Sequence, residues 1–443
     1  MSERASAGPA RKAALAALKL VRDSGYANLA VKTVQARAGL TPTDAAFVTE
    51  LVFGVCRHMG TIDTVIEMAG GRPLKTLQPA VVDVLRLGSE QLLKMRVPAH
   101  ACVSSSVSLA QDQIGSRVTG VVNAILRRVA ARTWDEWMDE ATAGLSPLDA
   151  LAMRTCHPRW IVDAYAEVLP PDEVSAALEA NNVAPTPTLV ARPTLMTREE
   201  LLEAGAQPTQ WSPWGARKSG DPAALEQVRD GRAGVQDEGS QIVAELLAGV
   251  DAPRGTWLDM CAGPGGKAAL LTGLALSRGE GLVAADVHPH RARLVRESLR
   301  GYESQPVMVA DGRRPPWRPS TFSRILLDAP CTGLGALRRR PEARWRKTEG
   351  DLAQLTRLQS ELLYVAGKSL VSGGVVAYVT CSPHHDETIA VVSQAEPDLE
   401  VVDVRSLSTQ VPDSSALQDP RFMQLWPHRH TTDAMFCALL RKR

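Results

Sequence analysis

The sequence predicts an all-α bundle followed by an α/β domain, within one chain of 443 residues. Apolar residues recur at the spacing of helices up to about residue 132, and no comparable stretch alternates with the period typical of strands. From residue 255 onward, short β-type runs alternate with helical stretches, which indicates a largely parallel sheet covered by helices. A proline-rich region of mixed character separates these two parts.

The composition and charge of the chain indicate which classes of protein it can belong to. Hydrophobic residues make up 44% and charged residues 22% of the sequence, which excludes a disordered or fibrous protein. Lys+Arg (50) nearly equal Asp+Glu (49), so any contact with nucleic acid must use local basic patches. No apolar run approaches the ~18 residues of a membrane span, and we expect a cytoplasmic monomer that does not contact membranes. We divide the chain into residues 1–132, 133–234 and 235–443.

Start and stop signals within residues 1–132 agree with a helical bundle. Thr41 or Thr43 precedes the helix that carries Phe47, and Gly25 and Gly60 are expected to follow the ends of their helices. Several arginines in this region either form a face that contacts RNA phosphates or are simply solvated on helix surfaces, and spacing alone leaves both open. These arginines are Arg57, Arg86, Arg96, Arg117, Arg127, Arg128 and Arg132.

Residues 133–234 are expected to form a connector and a small subdomain, in which Thr188–Arg192 resembles a short strand and Asp221–Arg229 a helix. The elements predicted beyond this region are the strands Thr256–Met260, Leu282–Val287, Val307–Ala310, Arg324–Leu327 and Val375–Thr380, and the helices Gly266–Leu276, Arg291–Arg300 and Asp351–Val371. Ligands of such sheets bind beyond the carboxyl ends of the strands. We therefore expect the catalytic and ligand-binding residues at the carboxyl ends of the strands.

The first strand end runs into a glycine-rich turn that opens a helix, which allows a ligand to approach the backbone. A phosphate-binding P-loop is excluded because Cys261 and Ala268 stand where that motif needs glycine and Ser or Thr. A dinucleotide fingerprint is met only in part, by Gly263 and Gly265. A tight turn without a ligand is the alternative for this loop in isolation.

Two acidic residues and two thiols follow the later strands. Asp286 lies about 20 residues beyond the glycine loop, where an acid commonly accepts hydrogen bonds from ribose hydroxyls, and Asp311 closes the next strand. Each acid alone is as consistent with a helix or turn cap, but together with the loop they favour a cofactor that contains adenosine. Cys331 and Cys381 end two further strands. A buried cysteine is usually inert, yet two thiols beside a cofactor suggest covalent catalysis.

Three short motifs carry a resemblance to a known family. Pro264–Lys267 reads PGGK, Asp328–Cys331 reads DAPC and Thr380–Ser382 reads TCS, and Gln236–Gln241 precedes them as QDEGSQ. In this combination the chain resembles the RNA 5-methylcytosine methyltransferases, which use S-adenosyl-L-methionine. The resemblance implies a Rossmann-like S-adenosylmethionine-dependent methyltransferase domain over residues 235–443.

The N-terminal region also resembles a known domain. Val97–Ala101 and Val122–Leu126, the latter followed by Arg127 and Arg128, are similar to segments of NusB-like RNA-binding domains. A NusB-like domain joined to the methyltransferase is typical of the RsmB/Sun type, whose members methylate small-subunit ribosomal RNA. The resemblance therefore implies methylation of C5 of a cytosine in 16S rRNA through a covalent cysteine–cytosine C6 adduct, with ribosomal RNA as partner.

The family resemblance assigns roles to individual residues. Cys381 is the thiol that attacks C6, Cys331 assists release of the product, and Asp328 is placed to hydrogen-bond cytosine N3, with Lys267 orienting it. The alternative for Asp328 is that it contacts the cofactor and does not act as an acid. The alternative for Lys267 is that its side chain extends from the start of the helix to solvent. The implied cofactor-binding residues are Cys261, Ala262, Gly263, Pro264, Gly265, Gly266, Lys267, Asp286, Asp311 and Asp328.

Other features of the sequence are less specific. The basic run Arg338–Arg340, followed by Arg344–Lys347 with Trp345 among them, favours RNA backbone contact and base stacking over a solvated basic loop. His384–Glu387 replaces the Glu-Asn-Glu pattern usual in the family, and Gly263 stands where alanine is frequent. Histidines cluster near residues 384 and 428, but no spacing of metal ligands supports a metal site, and we expect none.

Three alternatives compete with this interpretation, and the sequence disfavours each of them. Cys331 would be the nucleophile if the chain worked like the DNA cytosine methyltransferases, whose Pro-Cys motif attacks the base, although the TCS motif favours Cys381. An adenine or exocyclic-amine methyltransferase would show an Asn/Asp-Pro-Pro-aromatic tetrad in place of Asp328–Cys331. A NusB-like RNA-binding factor with a silent C-terminal domain would have lost the loop or one of the thiols, and all are present.

Overall fold

The computed structural model describes residues 7–302 and 305–443. The chain forms two compact units: a helical unit that ends at Asp163 and includes the later segment Arg339–Lys347, and an α/β unit made of Ala164–Arg338 and Thr348–Arg443. Residues 1–6 of the predicted first domain lie outside the described residues. A compact unit need not coincide with a functional domain, so the division at residues 132 and 234 stays a prediction.

The helical unit confirms the all-α bundle that the apolar spacing predicts. Its buried side chains form one continuous core, to which Val55, Leu85 and Leu126 contribute, because each helix presents one apolar stripe to its neighbours. With helices numbered along the chain, its members are α1 (Gly8–Ser24), α2 (Ala27–Ala38), α3 (Pro42–Gly70), α4 (Pro79–Leu93), α5 (Ala99–Gln113), α6 (Thr119–Val129), α7 (Trp134–Thr142), α8 (Pro147–Thr155) and, from the later segment, α16 (Ala343–Arg346). Helix α9 (Arg159–Val168) contains the boundary between the units.

Two of the predicted helix signals were right and one was wrong. Thr41 caps α3, since its side chain accepts a hydrogen bond from the Asp44 backbone N–H, and Gly25 follows α1. Gly60 does not end a helix, because α3 continues through it to Gly70. The reason for a glycine in mid-helix is steric: a Cβ at residue 60 would lie 2.3 Å from the Trp345 ring.

The segment Arg339–Lys347 is a built-in part of the helical unit. The Trp345 indole N–H donates to the Cys56 carbonyl over 2.8 Å, and the fully buried Arg344 donates to the Cys156 carbonyl over 3.0 Å. The prediction that this aromatic and arginine pair contacts RNA was therefore wrong. Arg344 supplies the donor for the Cys156 carbonyl beyond the end of α8, and Trp345 adds a second donor to a carbonyl that already accepts a hydrogen bond within α3.

Two arginines of the predicted phosphate-contacting face also have structural roles. Arg57 is buried, and Arg86 donates two hydrogen bonds of 2.7 Å to Asp63 and pairs with Asp83. An arginine held by two carboxylates within its own bundle is poorly placed to neutralise a phosphate. At these two positions the arginine therefore belongs to the interior of the bundle, which is neither of the two alternatives that spacing left open.

The α/β unit begins with a small four-stranded sheet. The order is β2-β3-β1-β4, and β1 pairs antiparallel with both β3 and β4. The strand predicted from residue 188 is β1, and the helix predicted from residue 221 is split into a 3-10 turn and the short α12. The elements are α10 (Val174–Ala180), β1 (Thr188–Ala191), α11 (Arg198–Glu203), β2 (Gln207–Pro208), β3 (Gly215–Arg217), α12 (Glu226–Arg229) and β4 (Ala233–Val235).

A second, eight-stranded sheet forms the rest of this unit. Its strands follow the order β10-β12-β9-β8-β5-β6-β7, with β11 paired to β12; the pairs from β9 to β7 are parallel and β12 is antiparallel to β9. The elements are α13 (Glu238–Gly249), β5 (Trp257–Asp259), α14 (Gly266–Leu276), β6 (Leu282–Asp286), α15 (Pro289–Ser298), β7 (Val307–Val309), β8 (Phe322–Asp328), α17 (Glu349–Ser369), β9 (Leu370–Thr380), α18 (Ile389–Val392), β10 (Leu399–Val402), β11 (Met423–Gln424), α19 (Pro427–His430) and β12 (Phe436–Lys442).

The large sheet is buried on both faces. Ala377 and Val379 of β9 join a core with α13 and α14, whereas Val376 and Tyr378 join the opposite core with α17. This alternation explains why β9 reads as a continuous apolar run, as expected of a strand covered on both sides. Within residues 7–302 and 305–443, no helix combines the length and apolar character needed to cross a bilayer.

Candidate active site

The strand order of the large sheet places the candidate site. From β5 the chain proceeds through β6 to β7 on one side, and then returns to β8 and β9 on the other side of β5. The switch point therefore lies between β5 and β8, where ligands of doubly wound sheets bind. The glycine loop, Asp328 and the two thiols all follow strands that meet at this edge, and the structure brings them together.

The glycine loop packs tightly along α15, from Arg291 near its start to Ser298 at its end. Gly265 has φ +108°, and a Cβ there would lie 2.7 Å from the Ser298 Cβ. The Gly263 carbonyl accepts a hydrogen bond from Arg291 over 2.5 Å. A Cβ at residue 263 would lie 2.5 Å from the Asp286 carboxylate and 2.8 Å from the Arg291 Cβ, so an alanine there would require α15 to shift.

Asp286 is the acid that ties the loop to the next strand. One carboxylate oxygen accepts from the Gly263 N–H over 3.0 Å and the other from the His288 N–H over 2.9 Å. Both oxygens keep a further lone pair. Asp286 therefore lies beside the glycine loop and holds its backbone, and its predicted contact with ribose hydroxyls stays a prediction.

Asp311 has different surroundings from Asp286. Its carboxylate forms a paired contact with the Arg313 guanidinium, 2.7 Å at its shortest, and accepts from the Arg313 N–H. This arginine is the main cause that lowers the pKa of Asp311. Its predicted role in cofactor binding stays a prediction.

The two thiols predicted from different strands lie side by side. Cys331 Sγ and Cys381 Sγ are 3.5 Å apart, because β8 and β9 are neighbours in register. The hydrogen bond from Cys331 is the main cause that lowers the pKa of Cys381, with help from Lys267 against burial and Asp328. The same bond, together with burial, raises the pKa of Cys331. Cys381 is therefore the thiol that ionises more readily, and the thiolate is the nucleophilic form.

Lys267 and Asp328 form an ion pair next to the thiols. Lys267 Nζ lies 2.8 Å from an Asp328 carboxylate oxygen. Burial opposes the charge of the lysine, but attraction to Asp328 outweighs it and raises the pKa of Lys267. The interpretation of Lys267 as a lysine that reaches solvent was wrong, since its contact is with Asp328.

Asp259 is a site residue that the sequence reasoning missed. It ends β5, and neither of its buried carboxylate oxygens makes a hydrogen bond of ordinary geometry. Burial, with Asp328 as second cause, raises the pKa of Asp259 to about 8. The available signal was its position: an acid at a strand end, two residues before the predicted loop. A buried acid without such hydrogen bonds suits a ligand that carries hydrogen-bond donors or positive charge.

The histidines near residues 384 and 428 have structural contacts. His384 Nδ1 accepts from the Asp386 N–H over 3.1 Å, and His428 lies 2.8 Å from a Glu173 carboxylate oxygen. In the part of the chain that the structure describes, no three His, Cys, Asp or Glu side chains form a group able to hold a metal ion.

Comparison with known proteins identifies the family. Residues 246–441 match the model of the 16S rRNA methyltransferases RsmB/F, and residues 8–131 match the NusB family. The ribosomal RNA small subunit methyltransferase B of Vibrio cholerae is 31% identical over 98% of this chain and 97% of its own length. The chain belongs to the RsmB/F family of 16S rRNA methyltransferases. It is therefore an rRNA methyltransferase with a NusB-like helical domain, and the predicted fold and S-adenosylmethionine cofactor are confirmed.

Other similar proteins agree with this assignment. A Mycobacterium tuberculosis protein that carries the general name of methyltransferase is 45% identical over 98% of this chain and 96% of its own length. The crystal structure of PH0851 has a TM-score of 0.82 and 22% identity over 98% of both chains. A methyltransferase homologue from Pyrococcus horikoshii has a TM-score of 0.55 and 24% identity, and covers 68% of this chain and all of its own. These two structures support the fold.

Proposed function

We propose that this protein methylates C5 of a cytosine in 16S rRNA through a covalent adduct between Cys381 and cytosine C6. The observation that supports the proposal most directly is the pair of thiols 3.5 Å apart, one with a lowered and one with a raised pKa. Cytosine C5 is a poor nucleophile until a thiolate adds to C6. Two thiols whose pKa values are shifted in opposite directions suit the two halves of such a reaction, in which one thiol attacks and the other assists release.

Each half of the reaction uses one thiol. The Cys381 thiolate adds to C6 while Asp328, protonated at this stage, gives a proton to cytosine N3, so the ring becomes an enamine that is nucleophilic at C5. Asp328 is left as the carboxylate that pairs with Lys267. When bound, S-adenosylmethionine supplies the electrophilic methyl group. Cys331 then assists loss of the C5 proton, after which the C6–S bond breaks and the Cys381 thiolate leaves. Once Cys381 is bonded to C6 it carries no charge, so one cause that raises the pKa of Cys331 is removed.

The residues around the glycine loop fit the cofactor. The loop from Cys261 to Gly266 lets a ligand approach the backbone closely, and the N–H groups at the start of α14 can donate hydrogen bonds to it. Asp286 keeps lone pairs that can accept from ribose hydroxyls. The buried carboxylate of Asp259, which lacks a hydrogen bond of ordinary geometry, suits the ammonium or sulfonium charge of the cofactor.

The proposal is tested with nucleoside mass spectrometry. Wild type, Cys381→Ala and Cys331→Ala are incubated with S-adenosylmethionine and unmodified small-subunit rRNA, and 5-methylcytidine is quantified. We expect product from wild type, none from Cys381→Ala, and a gel-stable RNA adduct that accumulates with Cys331→Ala. An adduct with Cys381→Ala would exchange the roles of the thiols. Absence of 5-methylcytidine from every rRNA form would reject the proposal.

A further inference from the structure

A buried network of polar side chains joins the two loops that carry the thiols. It consists of Thr332, which follows Cys331, Ser382, which follows Cys381, and Glu387 and Gln359, all of which are buried. None of these four was singled out for a role from sequence. The network lies behind the thiols and contains no group that the proposed chemistry uses.

Glu387 and Gln359 hold the backbone on both sides of Cys331. One Glu387 oxygen accepts from the Thr332 N–H over 2.8 Å, and the other accepts from the Thr332 hydroxyl. The Gln359 amide donates to the Pro330 carbonyl over 2.8 Å and to Glu387 over 3.1 Å. Cys331 is therefore fixed through its preceding carbonyl and its following N–H.

The network also reaches the loop of Cys381. The Thr332 hydroxyl lies 3.1 Å from the Ser382 hydroxyl; because its proton is directed to Glu387, it accepts from Ser382. Ser382 in turn accepts from the His384 N–H over 3.3 Å, and the Tyr378 hydroxyl donates to the Glu387 carbonyl over 2.7 Å. A single buried carboxylate thus links the residues that follow both thiols.

We infer that Glu387 and Thr332 are positioning residues that set the distance between Cys331 and Cys381. The inference rests on the proposed function, in which both thiols must reach the same cytosine. A buried carboxylate that satisfies three donors is costly to rearrange, so it holds the loops in one geometry. A displacement near 1 Å of a reacting group costs on the order of 100-fold in rate.

The inference is tested first without RNA, by oxidation of the thiol pair. Diamide removes two electrons and two protons from two thiols, leaves a disulfide, and is reduced to its hydrazine. Bond formation requires Sγ atoms that can close to about 2.0 Å, so the rate of formation of the Cys331–Cys381 disulfide, followed by peptide mass spectrometry, reports their placement. We expect Thr332→Val to slow this rate by about 10-fold to 100-fold, and Thr332→Ser, which keeps the hydroxyl, to restore it.

Glu387 is tested by the same disulfide rate, again with one variant that disrupts the network and one that conserves part of it. Glu387→Ala removes every acceptor of the network, whereas Glu387→Gln keeps the oxygen that accepts from the Thr332 N–H, and we expect the second to recover most of the rate that the first loses. Glu245→Gln is the matched control, since it makes the same change at a half-buried carboxylate that contacts Trp214. If Glu387 had only a structural role, these variants would have lower unfolding midpoints, but Glu387→Ala would not form the disulfide more slowly than Glu387→Gln.

Activity measurements separate this inference from the proposed function. With Thr332→Val we expect kcat for 5-methylcytidine to fall and the RNA adduct to persist, with KM for RNA unchanged. A disulfide rate equal to wild type in folded Thr332→Val would overturn the positioning role even if wild type makes 5-methylcytidine. A slowed disulfide in the variant, with no 5-methylcytidine from wild type, would reject the proposed function and leave the positioning role supported.

Discussion

At the scale of single residues, the site depends on how charge is distributed over five neighbouring groups. Cys331 and Cys381 differ only in their surroundings: one thiol donates to the other, and Lys267 favours the charge on Cys381. Asp328 and Asp259 oppose additional negative charge nearby, since Asp328 raises the pKa of Asp259. The reactivity of Cys381 therefore depends first on the Cys331 thiol and then on Lys267, the one cation among these groups.

We expect Lys267→Met to shift the reactivity of Cys381 to higher pH. Removal of the ammonium group takes away a cause that lowers the pKa of Cys381, and below its pKa the thiolate fraction of a cysteine falls tenfold per pH unit. At neutral pH the variant should be alkylated about 10-fold more slowly. The rate of iodoacetamide labelling of Cys381 between pH 6 and pH 10, read by peptide mass spectrometry, measures the shift.

The control for this experiment is Lys368→Met, which removes a lysine whose contact is with Glu396. Its labelling profile should match that of wild type. Superimposable profiles for Lys267→Met and wild type would show that the lysine does not activate the thiol.

We expect Asp259→Asn to make stability less dependent on pH. The pKa of Asp259 is about 8 in the folded protein and about 3.9 in an unfolded chain. Between these values the unfolded state has lost a proton that the folded state retains, so stability falls as pH rises through this window. The cost is about 1.4 kcal/mol per pKa unit, and an amide cannot incur it.

Urea unfolding at pH 5 and pH 8 measures this effect. Wild type should lose more stability than Asp259→Asn between the two pH values, by an amount on the order of a few kcal/mol. Asp172→Asn, at an exposed position, should behave as wild type. Equal losses in wild type and Asp259→Asn would mean that the carboxylate is not held in its neutral form.

At the scale of elements, the strands and helices with local sequence signals were predicted, and the features that depend on contacts distant in the sequence were missed. The helix Gly266–Leu276 was predicted with the bounds that the structure has, because a glycine turn and a helical repeat are local signals. The strands β10 and β12 were not predicted, because they pair antiparallel with each other and β12 pairs antiparallel with β9, outside the parallel β-α-β repeat that the sequence shows. Gly60 was misplaced at a helix end because its partner, Trp345, lies far along the sequence.

We expect the effect of Gly60→Ala to change sign with the residue at position 345. In an open helix the substitution stabilises by up to about 1 kcal/mol, but a Cβ here would meet the Trp345 ring at 2.3 Å, and overpacking costs about 1–3 kcal/mol. Gly60→Ala should therefore destabilise wild type and stabilise Trp345→Ala. Unfolding free energies of the four proteins of this double-mutant cycle give the coupling.

Gly120→Ala provides the comparison for this cycle. Gly120 lies in α6, and a Cβ added there would have no atom within 4 Å, so alanine should be neutral to stabilising by up to about 1 kcal/mol in both backgrounds. If Gly60→Ala has the same effect with and without Trp345, the close packing of these two residues is not what keeps glycine at position 60.

At the scale of the whole molecule, the chain does not run through its two units in simple succession. It leaves the helical unit after Asp163, and returns to it for the nine residues of Arg339–Lys347 before it completes the α/β unit. The basic composition of this segment led to the prediction of RNA contact. That prediction failed because composition does not show that Arg344 and Trp345 pack inside the helical unit. The motifs of the site were predictable since each is contiguous; this insertion was not.

The insertion predicts that residues 1–163 alone form an incomplete helical unit. Without the later segment, the Cys156 carbonyl loses the donor that Arg344 supplies, and a buried acceptor without a partner costs about 1–3 kcal/mol. The Trp345 ring also no longer packs against Gly60. A fragment of residues 1–163 fused to residues 339–347 through a flexible Gly/Ser linker holds the segment at millimolar effective concentration. We expect this fusion to have a higher thermal midpoint than the fragment alone, and the same fusion with Trp345→Ala to lose most of the gain. Equal midpoints for all three would mean that the helical unit is complete at Asp163, and that the segment is only bound to it.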